Sequence, residues 1–249
     1  MPLQEGEAIV LRCYDLAEVD RIVILFTREF GKIRGVAPGA KRLKSGFMGS
    51  LDTGTHIRIT FLEKEGQELV RIRQAQLLDH YAGSPDLPRL LHLIYMTELL
   101  EAFSTDRNPN PDLFRLSLAC FQRVKEGGTP GQLARYFEYW ILRLEVIWPG
   151  LRCCGVCDTP LSSEAGCLFS RTAGCFTCRH CRVDEGLPLD SSDLRVLQEF
   201  SKLPPAQLPM SQEAGVSLGK LETVCQSLIR RHLEFDIKSY RVLKELTAA

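Results

Sequence analysis

Ten cysteines stand in this 249-residue chain, and seven of them crowd between residues 153 and 181. Thiolates are soft ligands and nucleophiles, so such crowding raises two chemistries, metal binding and redox exchange. Cys154-x2-Cys157, then 20 residues, then Cys178-x2-Cys181 has the spacing of paired zinc knuckles. Four thiolates complete a tetrahedral shell around one Zn2+, and with no position left for water such a site is structural. Cys175-x2-Cys178 repeats the spacing, and Cys153 or Cys167 could also stand in, so spacing alone leaves the ligand set open. The redox alternative is weaker, because a redox dithiol ordinarily opens a helix in a βαβ setting that this segment lacks. His180 lies between two candidate ligands and reads as an exposed side chain. Cys13, Cys120 and Cys225 sit in apolar surroundings and read as small buried hydrophobes.

A second chemical signal is charge. Lys plus Arg equals Asp plus Glu, 31 against 31, so the whole chain points to no polyanionic partner. Residues 28–44 depart from that balance: Arg28, Lys32, Arg34, Lys41, Arg42 and Lys44 face Glu29 alone, a local charge of +5. A solvated face explains most isolated charge runs. Here Gly35, Pro38, Gly39 and Gly46 joint a loop around Lys41–Lys44, and Arg58, Arg71 and Arg73 fall on the polar side of neighbouring strands. That combination is an electrostatic footprint for phosphate, read through the backbone rather than by a base-reading helix. Tyr14, Phe26, Phe30 and Phe47 are candidates to stack on bases, the first three reading better as core.

The elements that must position these groups follow from hydrophobic period. Glu7–Tyr14, Arg21–Thr27 and Lys32–Ala37 are rich in β-branched residues, with a turn at Glu29-Phe30-Gly31. Residues 54–63 alternate, with Ile57, Ile59 and Phe61 on one face, and residues 69–75 repeat this with Val70 and Ile72. Five short strands with one apolar face predict a small closed barrel of OB type, although an SH3-like barrel would give much the same pattern. From residue 85 the period turns helical, with Leu87, Leu90, Leu91, Ile94 and Leu99 as one stripe. Asn110-Pro111 and Thr129-Pro130, the latter with Gln132 as a capping box, open two further helices. The second of these runs to Pro149-Gly150, and helices resume at 191–203, 217–235 and 239–247.

The expectation is therefore an α+β multidomain protein. It has an N-terminal OB-fold barrel at 1–80, an α-helical domain at 81–150 and 187–249, and a zinc-ribbon-like four-cysteine insertion at 151–186.

Several function classes fall away. Gly39-Ala-Lys-Arg-Leu-Lys44-Ser45 lacks the glycine a P-loop needs immediately before its lysine. No G-x-S-x-G, H-E-x-x-H or G-x-G-x-x-G occurs, the five histidines are scattered, and no catalytic constellation emerges. The N-terminus lacks a basic-then-apolar leader and no run of 18 apolar residues exists, so a cytoplasmic protein with no membrane segment is expected. A protein-interaction scaffold whose basic patch meets an acidic peptide, or a nuclease, would be the competing classes.

At this point a family resemblance becomes specific. Val19-Asp20-Arg21-Ile22-Val23-Ile24-Leu25-Phe26-Thr27, followed by Gly31-Lys32, Val36-Ala37, Gly39-Ala40-Lys41-Arg42 and Lys44-Ser45, resembles the opening of the bacterial RecO recombinational repair proteins. Phe137-Glu138-Tyr139-Trp140-Ile141-Leu142 with Pro149-x-Leu151 resembles that family's approach to its zinc module, and Phe169-Ser170, Gly174, Cys178 and Cys181 resemble its second half. Cys175 stands where the family usually has a second glycine, and Asp158 where a glycine often follows the first knuckle. The resemblance implies an OB-fold, a helical domain and a zinc insertion. It implies binding of single- and double-stranded DNA, annealing of complementary strands, and action with RecR, and possibly RecF, to load RecA on DNA covered by single-strand binding protein. It implies contact with that protein's acidic C-terminal tail through the helical domain, for which Arg123, Arg135, Tyr139 and Arg143 are candidates, the last three being four apart on one helix. A nucleoid-associated protein of the bacterial cytoplasm would follow.

Overall fold

In the computed structural model the chain is described over residues 3–16, 18–42, 45–64, 66–81, 86–162, 166–181, 186–209 and 215–247. It packs as two compact units, Met1–Pro130 with Ile237–Ala249, and Gly131–Asp236.

The first unit opens with five strands, β1 (Leu3–Asp15), β2 (Arg21–Thr27), β3 (Gly31–Ala37), β4 (Thr55–Leu62) and β5 (Leu69–His80). They close a barrel in the order β1-β2-β3-β5-β4, with β5 parallel to β3 and every other neighbour antiparallel. This is the five-stranded Greek-key order of an OB-type barrel. β1 serves two neighbours, pairing β4 through residues 3–9 and β2 through residues 8–15, and a bulge between Val10 and Arg12 bends it between them. Val10, Val23, Leu25, Ile33, Ile57, Ile59, Phe61, Val70 and Ile72 fill the interior. The alternation of residues 54–63 and 69–75 thus sets the inward face.

β2 is apolar on both sides. Val23 and Leu25 face the barrel core, while Ile24 and Phe26, on the opposite parity, are also buried. The same unit holds helices α1 (Leu87–Phe103), α2 (Pro111–Lys125) and α6 (Lys238–Thr247), and Phe114 of α2 covers this face, 6.0 Å from both Phe26 and His56. A strand buried on both faces reads as a continuous run, which is why Ile22–Phe26 lacks alternation. Two aromatic expectations reverse here. Phe47 belongs to the barrel core, whereas Tyr14 is exposed and has the Arg12 guanidinium over its ring. Tyr14 lies where β1 runs out beyond its pairing with β4, which leaves it 44% exposed.

The segment joining α1 to α2 closes a gap in this wall. β5 meets β3 only from Arg34 onward, and at Lys32 the vacant edge is taken by residues 105–107. Lys32 N donates to Thr105 O and Arg107 N donates to Lys32 O. Arg107 holds the left-handed conformation, φ 59°, and its guanidinium reaches Glu63 at 2.8 Å. Gly31 is left-handed too, φ 67°, and a Cβ there would run into the Asn108 backbone. Gly31→Ala is expected to cost about 2–4 kcal/mol, combining conformational strain with the clash. Gly49→Ala, with the same sign of φ but open surroundings, should cost only about 1 kcal/mol. Thermal unfolding of the two variants checks this; equal losses would mean the packing of residues 105–108 contributes nothing.

Within α1 the apolar stripe differs from the one expected. Leu93, Met96, Leu99, Leu100 and Phe103 are buried, Leu99 alone of these belonging to the expected stripe, while Leu87 and Ile94 are exposed. The helix is apolar around most of its circumference, so period alone does not select its inner face. Asn110 caps α2 as anticipated, its side chain accepting from Leu113 N at 3.0 Å.

The second unit is built on α3 (Pro130–Leu144), a three-stranded antiparallel sheet of β6 (Cys167–Ser170), β7 (Cys175–Thr177) and β8 (Leu187–Leu189), and helices α4 (Ser191–Lys202) and α5 (Gly215–Leu233). α3 stops at Leu144, five residues before Pro149-Gly150. Ile147 N and Trp148 N both donate to Leu142 O across a left-handed Val146, φ 59°. That hydrogen-bonded C-terminal turn ends the helix without proline. Gln132 also departs from its capping-box role: its Nε2 donates to Pro209 O.

Candidate metal centre and nucleic-acid interface

Cys154 and Cys157 lie on a tight loop pinned to the three-stranded sheet. Cys154 N donates to Thr159 O, Asp158 N to Cys154 O, and Gly155 N to Phe176 O of β7. Asp158 is left-handed, φ 57°, which accounts for the glycine expected after this knuckle; aspartate tolerates the conformation better than most residues. Cys178 and Cys181 follow β7 directly. The four sulfurs of Cys154, Cys157, Cys178 and Cys181 lie within 4.8 Å of one another. Tertiary structure thus selects the set that spacing left open, and Cys153, Cys167 and Cys175 stand outside it. Gly155 is small because Cys175 needs the room: a Cβ at Gly155 would stand 2.7 Å from its Sγ.

Burial raises Cys154, but backbone N–H groups of Cys178, Cys157 and Val156 outweigh it and hold the thiol down at about 6. Cys157 is lowered, first by Thr159, whose hydroxyl is 3.1 Å away. Cys181 is pushed up to about 12 by the adjoining Cys157 and Cys178 sulfurs. Four sulfurs at this separation cannot all be thiolates at neutral pH unless a cation joins them. The donor set therefore fits a soft divalent metal. Cys167, by contrast, is raised to about 11 by burial, as a core thiol should be.

The basic run does not form one patch. β3 separates its ends: Arg28 lies in the β2–β3 turn, whereas Lys41 and Arg42 lie beyond the far end of the same hairpin. Seven strand residues place those ends roughly 20 Å apart. Several cations are also engaged. Lys32 Nζ donates to Glu101 O at 3.1 Å and lies 3.6 Å from Asp106, and Arg34 lies 3.7 Å from the same carboxylate. Arg58 is held by Glu5 and Glu7 of β1, and Lys41 by Asp15. Lys44 falls outside the described residues. Arg42, Arg71 and Arg73 are exposed and have no ion pair with a described residue.

What unites the exposed cations is the β3–β5 seam. Arg34 stands beside Leu69 and Val36 beside Arg71, all pointing outward, with Arg73 next along β5. The Arg42 side chain packs over Gly39 at the end of the seam. Arg34, Leu69, Arg71 and Arg73 are exposed along that stretch, in contrast with the buried outer face of β2. Asp106 is the functional neighbour that sequence reasoning misses, because it lies about seventy residues along the chain.

In the second unit, Arg135 leaves the proposed exposed face. It is 5% exposed and paired with Glu138 and Glu222, while Gln226 also donates to Glu138. Arg123 lies on α2 of the other unit. Tyr139 is buried in an aromatic cluster with Trp140, Trp148 and Phe200, and Arg143 donates to its hydroxyl at 2.7 Å. Arg143 stays exposed, stacked over Tyr139 and Trp140. With Arg152 it borders a cleft of about 430 Å3 lined by Leu151, Leu161, Leu194 and Leu197. Among the described residues no helix is long and apolar enough to cross a membrane.

Comparison with known proteins agrees with this layout. The family model for "Recombination protein O N terminal" matches residues 1–81, and "Recombination protein O C terminal" matches residues 84–241. The chain is 40% identical over 164 residues to the DNA repair protein RecO of Koribacter versatilis (strain Ellin345), covering 66% of this chain and 67% of that one. It is 30% identical over 246 residues to the protein of the same name from Pelotomaculum thermopropionicum (strain DSM 13744 / JCM 10971 / SI), covering 98% and 94%. Likeness to the Syntrophus aciditrophicus (strain SB) protein is 26% over 245 residues, covering 96% and 95%. With both family models matched in order, and a barrel, a helical part and a four-cysteine insertion all present, the chain belongs to the recombination protein O (RecO) family of DNA repair proteins.

Proposed function

We propose that this chain is a non-catalytic mediator of DNA repair and recombination in the bacterial cytoplasm. It binds single- and double-stranded DNA, anneals complementary strands and acts with RecR and RecF to load RecA on DNA covered by single-strand binding protein. The observation that carries the reading is the uncovered β3–β5 seam with Arg34, Arg42, Arg71 and Arg73 around it. Cations on an open barrel wall neutralise phosphates irrespective of sequence, which suits a protein that brings together whatever strands are complementary. Lys44 is included in this surface on sequence grounds. Lys32, Lys41 and Arg58 contribute less, since carboxylates already neutralise them, and Arg28 lies apart.

The four cysteines hold one structural Zn2+, which fastens residues 151–186 as an insertion in the helical part of the chain, 81–150 and 187–249, with the DNA-binding barrel at 1–80. A second contact is supported by the cleft beside Arg143 and Arg152. Its leucine lining and two guanidinium groups suit an acidic, apolar peptide such as the tail of single-strand binding protein.

A strand-annealing assay tests the main reading. Purified protein should accelerate pairing of complementary oligonucleotides at least tenfold, also when they are first coated with single-strand binding protein. It should leave labelled DNA intact in the presence of Mg2+. No acceleration with bare strands would refute annealing and favour a scaffold, and cleavage would favour a nuclease.

A further inference from the structure

A cleft of about 590 Å3 opens at the end of the β3–β5 seam. This lies within the roughly 300–1,000 Å3 typical of small-molecule sites. Val36, Pro38 and Leu69 supply apolar lining, and Gln67, Glu68 and Asp20 add an amide and two carboxylates to it. Asp20 is fixed there because its Oδ1 accepts from Gly39 N at 2.8 Å. Arg71 contributes to the wall, Arg34 stands beside Leu69, and Arg42 packs over Gly39 next to Pro38.

The arrangement is specific in its polarity. Guanidinium groups stand around and in the wall of a cleft that also carries two carboxylates, Asp20 and Glu68, and the Gln67 amide. The complementary ligand is anionic outside and flat, apolar and hydrogen-donating inside. An unpaired nucleotide has that distribution, with its base able to lie on aliphatic side chains and arginine planes. Carboxylate oxygens accept from exocyclic amino groups, as aspartate and glutamate do from cytosine N4. Thymine has no such donor.

We infer that this cleft is a nucleobase subsite that takes one unpaired base of single-stranded DNA and favours bases with an exocyclic amine. The inference rests on the DNA-binding reading above and deepens it: the arginines hold any DNA backbone, whereas the cleft engages only a base that has left its duplex. Glu68 is the discriminating residue, and Leu69 is part of the platform.

Fluorescence anisotropy at one salt concentration tests this with oligo(dC), oligo(dT) and a duplex of equal length. The wild type should bind oligo(dC) several-fold more tightly than oligo(dT). Glu68→Ala should bring that ratio close to one, while its loss of negative charge raises affinity for all three probes together. Leu69→Ala, which changes no charge, should weaken single-strand binding three- to tenfold and leave duplex binding within twofold. Equal binding of the two oligonucleotides by the wild type, a ratio that persists in Glu68→Ala, or parallel loss on single strand and duplex in Leu69→Ala would each overturn the subsite while leaving DNA binding standing. Failure to bind any of the three probes would overturn the DNA-binding reading and the subsite with it.

Discussion

Exchange of Cys178 for serine is expected to lower bound zinc from one ion per chain to near none and to loosen the segment around residues 153–189. The barrel's own unfolding transition should remain. The segment cannot stand without a staple: its strands are three to four residues long, and Phe169 and Phe176 are its chief fully buried aromatics. A ligand that binds only the folded state at a hundred times its Kd adds about 2.7 kcal/mol, and structural zinc contributes at least that much. Metal content by chelator titration, together with limited proteolysis, reads the effect. Cys154→Ser should behave alike, while Cys175→Ser should keep its metal, because Cys175 stands outside the four-sulfur group. Full zinc content in Cys178→Ser, or loss in Cys175→Ser, would move the ligand set. Protons compete with the metal for thiolates, so acidification should release the ion and a rise in pH should restore it. The opposite sign would exclude thiolate ligation.

Removing charge along the seam should have the other large effect. Arg34, Arg42, Arg71 and Arg73 changed together to alanine are expected to weaken binding of single-stranded DNA at least a hundredfold near 0.1 M salt. The slope of log affinity against log salt should shrink by roughly 3, since each single-strand phosphate contact contributes about 0.7. The loss should be the same for every sequence, because backbone contacts carry no base information. Lys32→Ala with Arg58→Ala is the internal control. Lys32 is mostly buried and donates to Glu101 O, unlike the half-exposed Arg34, and Arg58 is matched by Glu5 and Glu7, so their removal should cost under tenfold. If the control pair lost as much as the quadruple variant, the seam would not be the interface.

These two results bear differently on what a sequence can say. Zinc knuckles are legible because a metal demands residue type at short spacing, and Cys154, Cys157, Cys178 and Cys181 obey it locally. The barrel was legible because period 2 over residues 54–63 and 69–75 is a direct consequence of a strand with one buried face. The choice among seven crowded thiols was not legible, since it turns on β7 carrying Cys175 away from the group that closes around Cys178. Nor was the inner face of α1, where too many apolar residues offered equivalent stripes.

Charge was legible as a count and misleading as a map. Six cations within seventeen residues read as one patch, yet a hairpin is a linear object and laid them along its length. Which of them remain open depends on carboxylates brought from elsewhere, Asp15 of β1 at Lys41 and Asp106 of the α1–α2 connection at Lys32 and Arg34, just as Glu5 and Glu7 hold Arg58, and Glu138 and Glu222 hold Arg135. Sequence by itself determined the ligand chemistry, the barrel and the presence of a basic surface, because each depends on residue type at short range. Tertiary structure alone decided which sulfurs meet, which arginines stay unpaired and where the seam opens into a cleft. Those outcomes depend on distances between groups far apart in the chain, and such distances exist only once the strands have closed.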